Sequence, residues 1–228
     1  MILTRRGALG GLGAAACALA APPLAIADTA DRRFTLFRDG ANIGWHTISL
    51  TRQGERLEVA IDIQIRVKVF GFTGYRYEMS NREVWERGGL VSMDSSVNDD
   101  GERKRVTVRR ADNALRVDGP NYQGDAPLDA ATTTYFTRDF LERPVWISTD
   151  AGDLLDVRRE KLGAARVPGA QGRIPATRWT VTDGDAYTVD VAYDDRGEWV
   201  GLAFDASGER CVYRLETEPQ RFAALWTG

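Results

Sequence analysis

The sequence predicts an all-β fold: an antiparallel meandering sheet, strongly curved or closed into a barrel, with one short covering helix. Three observations carry this. From Leu57 to Val69 apolar side chains occupy every second position, with Glu58, Asp62, Gln64, Arg66 and Lys68 among those between. A period of two over that length is a strand with one dry and one wet face. Runs rich in Val, Ile, Thr and aromatic residues recur along the chain, separated by Gly- and Asp-containing turns. Helical spacing is confined to one short stretch around Phe136 and Phe140.

The chain opens with a leader, residues 1–27. Paired Arg5 and Arg6 follow Thr4, and Leu9 stands three residues beyond Arg6, the pattern of a twin-arginine export signal. A Gly- and Ala-rich apolar stretch comes next, and Ala25-Ile26-Ala27 places small side chains where a signal peptidase cuts, before Asp28. The stretch is Gly-rich, stopped by Pro22-Pro23, and shorter than the ~20 apolar residues of a membrane span. Cys17 follows three alanines, but Leu12 lies too far upstream for a good lipidation motif. The expected product is a single β-domain, residues 28–228, in the periplasm.

Loss of Arg5 and Arg6 moves the formal charge from −3 to −5, with both signs interspersed. That balance argues against nucleic acid as a partner. The mature chain keeps one cysteine, Cys211, so burial and ladder hydrogen bonds must hold it together. Alternation with Tyr213 and Leu215 turns Cys211 toward the core.

Phe34 to Phe37 leads through Asp39-Gly40 into Ile43 to Leu50, a hairpin. The Leu57–Val69 strand is followed by one in which Tyr75, Tyr77 and Met79 alternate toward Trp85. Further strands are expected near 90–97, 103–110 and 114–117, then 177–182, 187–193, 199–205 and 210–216. Thr132-Thr133-Thr134 offers a cap for a helix running through Phe136 and Phe140 to Pro144. Arg87-Gly88-Gly89-Leu90-Val91 is echoed by Arg196-Gly197-Glu198-Trp199-Val200. A duplicated meander would produce such an echo, and so would β-turns, which reuse Gly, Asp and Arg.

No catalytic constellation stands out. The chain has one histidine, His46, on the second strand, read as a strand residue with a satisfied hydrogen bond. One His and one mature Cys, far apart, do not make a metal site, and no cofactor motif is present. Asn98-Asp99-Asp100-Gly101 and Asp194-Asp195-Arg196-Gly197 read as turns rather than as calcium loops or paired catalytic acids. The aromatic residues are the unexplained wealth. Most belong to a core, and the remainder can line a pocket for an apolar ligand inside a curved sheet. The residues expected to line it are Ile61, Ile63, Ile65, Val67, Tyr75, Tyr77 and Trp85.

Phe34-x-Leu36-x-x-Asp39-Gly40-x-x-Ile43-Gly44-x-His46, Tyr75-x-Tyr77 leading to Trp85-x-x-Gly88-Gly89-Leu90-Val91-Ser92, and Trp199-Val200-Gly201-Leu202 together resemble an uncharacterised family of exported bacterial β-proteins. The resemblance implies the fold and brings no catalytic residues. In architecture the chain is also distantly similar to the lipoprotein-localisation carriers of the bacterial envelope, whose half-barrel holds acyl chains. The expectation is a non-enzymatic periplasmic protein binding a lipid or other hydrophobic small molecule. The alternatives are an envelope interaction module with a filled core and, last, a carboxylate-based hydrolase.

Overall fold

A computed structural model describes residues 27–69, 72–184, 187–206, 208–218 and 221–227. The leader, with Arg5, Arg6 and Cys17, lies outside the described residues. Eight antiparallel strands follow one another as sheet neighbours: β1 (Asp28–Arg38), β2 (Ala41–Gln53), β3 (Arg56–Val69), β4 (Phe72–Glu86), β5 (Gly89–Asp99), β6 (Glu102–Arg110), β7 (Leu115–Asp118) and β8 (Gln123–Ala126). The turns explain the meander. Asp39-Gly40 and Arg87-Gly88 both place two residues at positive φ, the geometry whose twist suits a two-residue hairpin.

The chain then leaves the sheet and builds a cover. Short strands β9 (Ala131–Thr132), β10 (Val145–Ile147) and β11 (Leu154–Asp156) form a separate three-stranded sheet, and a 3-10 helix spans Arg138–Glu142. Five strands return it to the main sheet: β12 (Arg158–Gly169), β13 (Gly172–Asp183), β14 (Tyr187–Tyr193), β15 (Trp199–Ala206) and β16 (Glu209–Leu215). β16 pairs with β1, joining both meanders into one 13-stranded sheet. A parallel bridge between Gly169 and Leu215 connects β12 back to β16, so the last five strands close into a ring. Such curvature leaves few open edges and gives the sheet an inside.

The covering helix differs from its expected form. Its N-cap is Thr137, whose hydroxyl accepts from the Asp139 amide at 3.3 Å, not Thr132–Thr134. β-Branched Thr132 instead joins β9, paired with Ile147, and Tyr135 at φ +60° turns the chain before the helix begins. The four-residue spacing does bring Phe136 and Phe140 together, rings 5.0 Å apart. A second helix, α1 (Phe222–Thr227), was not foreshadowed by any pattern. Trp226 anchors it, donating its indole N–H to Asp139 at 2.6 Å and packing edge-on against Trp85 and Phe140. Both segments of the sequence echo fold as a turn entering a strand, as turn composition dictates.

Candidate functional site: a cavity inside the curved sheet

The long dry face of β3 divides in two. Leu57, Val59 and Ile61 are at most 1% exposed, whereas Ile63, Ile65 and Val67 are only half-buried. The ladder explains the difference. Leu57 lies opposite Trp85, Ile65 opposite Tyr77, and Val67 opposite Tyr75. At the Leu57 end the cover packs down: Trp85 stacks 5.1 Å from Phe140 and sits edge-on to Phe136 and Trp226. At the Val67 end nothing fills the concave side, and a cavity of about 1030 Å³ remains.

Six of the seven expected residues line this space: Ile61, Ile63, Ile65, Val67, Tyr75 and Tyr77. Trp85 does not. It shares a strand face with Tyr77, but eight residues of strand carry it roughly 26 Å away. There its indole N–H donates to Glu83 at 2.7 Å inside the packed core. The far wall comes from the returning meander, through Val189, Leu202, Phe204, Cys211 and Tyr213. The sequence marks those positions as strand but says nothing about which space they face.

The mouth is polar and partly clasped. The Tyr75 hydroxyl donates to Asp99 at 2.8 Å and the Tyr77 hydroxyl to Asp150 at 3.1 Å. Lys104 bridges the same two carboxylates, at 3.1 and 3.3 Å. A chain of charge-assisted bonds therefore ties β4, β5 and β6 to the loop between β10 and β11. Burial opposes the charge on Asp99, but Tyr75 and Lys104 outweigh it and hold its carboxyl below the usual range. Lys104 is held above its usual range by its two carboxylate partners, against desolvation.

Deeper in, the cavity wall carries neutral polar groups. Tyr135 and Tyr187 share a short hydroxyl–hydroxyl bond. Burial pushes the Tyr135 phenol up to about 12 and those of Tyr187 and Tyr213 higher still, so all three keep their protons at neutral pH. His46 is fully buried and desolvation drives its imidazole down to about 3, which leaves it uncharged. Its Nδ1 meets the Tyr213 hydroxyl at 3.4 Å, but Nε2 has no partner. The expectation of a satisfied strand histidine therefore needs correction: only one of its two nitrogens is paired. Burial also raises the thiol of Cys211.

The paired acids of the sequence resolve as turn braces. Asn98 accepts from the Gly101 amide, and Asp194 accepts from the amides of Arg196 and Glu198. Among the described residues no group of three or more His, Cys, Asp or Glu is placed to hold a metal ion. No described helix is long and apolar enough to cross a membrane.

The model of a family named only as a domain of unknown function, DUF6134, matches residues 34–216. This chain is a DUF6134 protein. The match runs from β1 to just past β16, so the family domain includes the cavity and its cover. No curated protein matches the sequence. Among solved structures, the DUF6134 chain is similar to a β-barrel-like protein of another domain of unknown function, DUF1849, from Brucella abortus. The TM-score is 0.56 at 11% identity, over 82% of this chain and 94% of that one. At that identity the likeness speaks for the fold alone. The expectation of an uncharacterised all-β family with a barrel-like sheet thus holds.

Proposed function

We propose that this DUF6134 protein is exported to the periplasm by its twin-arginine leader and there binds an apolar or amphiphilic small molecule, of lipid character, without transforming it. The observation that carries the reading is the cavity. Its floor is the half-buried Ile63, Ile65 and Val67 of β3, and its volume of about 1030 Å³ stands at the upper end of the range for small-molecule sites. Apolar side chains left beside an open space lose the burial that stabilises their neighbours Leu57 and Val59, and a ligand would restore it. A filled-core scaffold would have closed this space with its own side chains.

The groups around the cavity suit holding rather than chemistry. His46 stays neutral over the physiological range and is a poor general base. Asp99 and Asp150 are engaged by Lys104 and two tyrosines rather than presented to the interior.

Native mass spectrometry of the mature protein, purified from its own periplasm and followed by lipid extraction, tests the reading. A co-purifying apolar molecule is expected, and Ile63→Trp, which fills the floor, should lose it while keeping the wild-type circular dichroism. A bare mass for the wild type, with no uptake of an added neutral fluorophore, would move the assignment to the interaction-module reading.

A further inference from the structure

The cavity's polar groups say which kind of amphiphile fits, and this inference rests on the binding reading above. The charge at the wall is lopsided. Among the described residues lining the cavity, Arg38 is the cation, against Asp99, Asp150, Asp153 and Asp183. Arg38 is already paired with Glu209, and Lys104 is committed to Asp99 and Asp150. A free carboxylate entering this space would meet acids and find no uncommitted cation.

The interior supplies a different partner. His46 is 2% exposed, lines the cavity, and is wedged by the rings of Phe34, Trp199 and Tyr213. Tyr213 keeps its phenolic proton and, among the described bonds, makes one, to His46 Nδ1. A phenol donating to Nδ1 leaves the ring proton on Nε2. That N–H is a buried donor without an acceptor, which native interiors rarely tolerate. Neutral imidazole pairs with an uncharged oxygen without adding a second buried charge.

We propose that the cavity takes an uncharged amphiphile, an apolar chain bearing an ester or ketone carbonyl, whose oxygen accepts a hydrogen bond from Nε2 of His46. A free fatty acid is the wrong ligand, and an acyl ester or an alkylated quinone is the right one.

Because His46 is the chain's one histidine, its imidazole nitrogens give unambiguous signals in a 15N-labelled sample. The wild-type mature protein is titrated with methyl laurate, laurate and dodecane by displacement of N-phenyl-1-naphthylamine, and the Nε2 shift is followed. Methyl laurate should bind several-fold tighter than laurate and shift Nε2, whereas dodecane should bind without shifting it. His46→Phe, which preserves the ring packing, should weaken methyl laurate by roughly three- to tenfold, the worth of one neutral hydrogen bond, and leave dodecane unchanged. A dodecyl benzoquinone in parallel separates the two carbonyl sources by which ligand moves Nε2 further. Laurate binding as tightly as its ester, or ester binding with Nε2 unmoved, overturns the inference while leaving the cavity a binding site. Failure of every probe, dodecane included, overturns both readings. Should His46→Phe fail to fold, the wild-type Nε2 shift decides alone.

Discussion

Replacing Glu198 with alanine should destabilise the protein severely, through a charge that nothing near it can neutralise. Arg32 of β1 and Glu198, at the entry to β15, form an ion pair at 2.8 Å with side chains 0% and 4% exposed. The same guanidinium donates to the Trp199 carbonyl at 2.6 Å and lies 4.0 Å from the ring centre of Phe222. The carboxylate also accepts from the Phe222 and Ala223 amides at 3.2 and 3.1 Å, so it caps α1 from across the fold. Desolvation already lowers the pKa of Arg32, against the opposing pull of Glu198. Removing one partner of a buried pair costs about 3–5 kcal/mol. The two helix amides that lose their acceptor add about 1 kcal/mol. At roughly 2–4 °C per kcal/mol for a domain of this size, the melting temperature should fall by roughly 10–20 °C. Thermal melts followed by circular dichroism measure it, and the loss should persist at high salt because a buried pair is poorly screened. The double replacement Arg32→Met with Glu198→Leu should recover most of the loss, since it leaves no orphaned charge. Should Glu198→Ala melt within a few degrees of wild type, or the double variant melt no higher than the single, the stranded guanidinium is not the cause.

Two further outcomes follow from buried groups elsewhere. Glu83 is 1% exposed, and burial raises its carboxyl from 4.5 to about 7, against bonds from Asn81 and Trp85 that favour the charged form. Its folded pKa exceeds its unfolded one, so stability is greatest below pH 4.5, falls as pH rises toward 7 and stays lower above it, by on the order of 3 kcal/mol. Urea midpoints at pH 5 and pH 8 should therefore differ in wild type and converge in Glu83→Gln; an unchanged difference would place the effect in another group. Gly44 in β2 has φ +154°, and an added methyl would overlap the Gln64 carbonyl of β3. Gly44→Ala should break the ladder beside the bulge at Leu36 and Phe37, costing at least about 2 kcal/mol in urea unfolding.

Much of the sheet was legible because strand signals are local. The thirteen-residue alternation from Leu57 to Val69 lies within β3, and Asp39-Gly40 closes the β1–β2 hairpin. Strand β12 (Arg158–Gly169) escaped notice for a physical reason: it is exposed or half-buried along its whole length and carries Gly163 and Pro168, so burial imposes no apolar period on it. The cover escaped for another. β9, β10 and β11 are two or three residues each, too short for any period to show. Helix α1 is held by Trp226 and by the distant carboxylate of Glu198, neither of which is a local signal.

By itself the sequence determined which residues alternate, where the turns fall, and that β3 has one dry face. It also pointed to six side chains that now surround one space. Only the tertiary structure decided how that face is shared. Packing of the cover over Leu57, Val59 and Trp85 seals one end into core, and pairing of β16 with β1 brings Leu202, Phe204 and Tyr213 opposite the other. Trp85 and Tyr77 are indistinguishable by pattern, because alternation specifies a face of a strand and not a position along it. What covers that face, and what leaves Nε2 of His46 without a partner, depends on residues more than a hundred positions away.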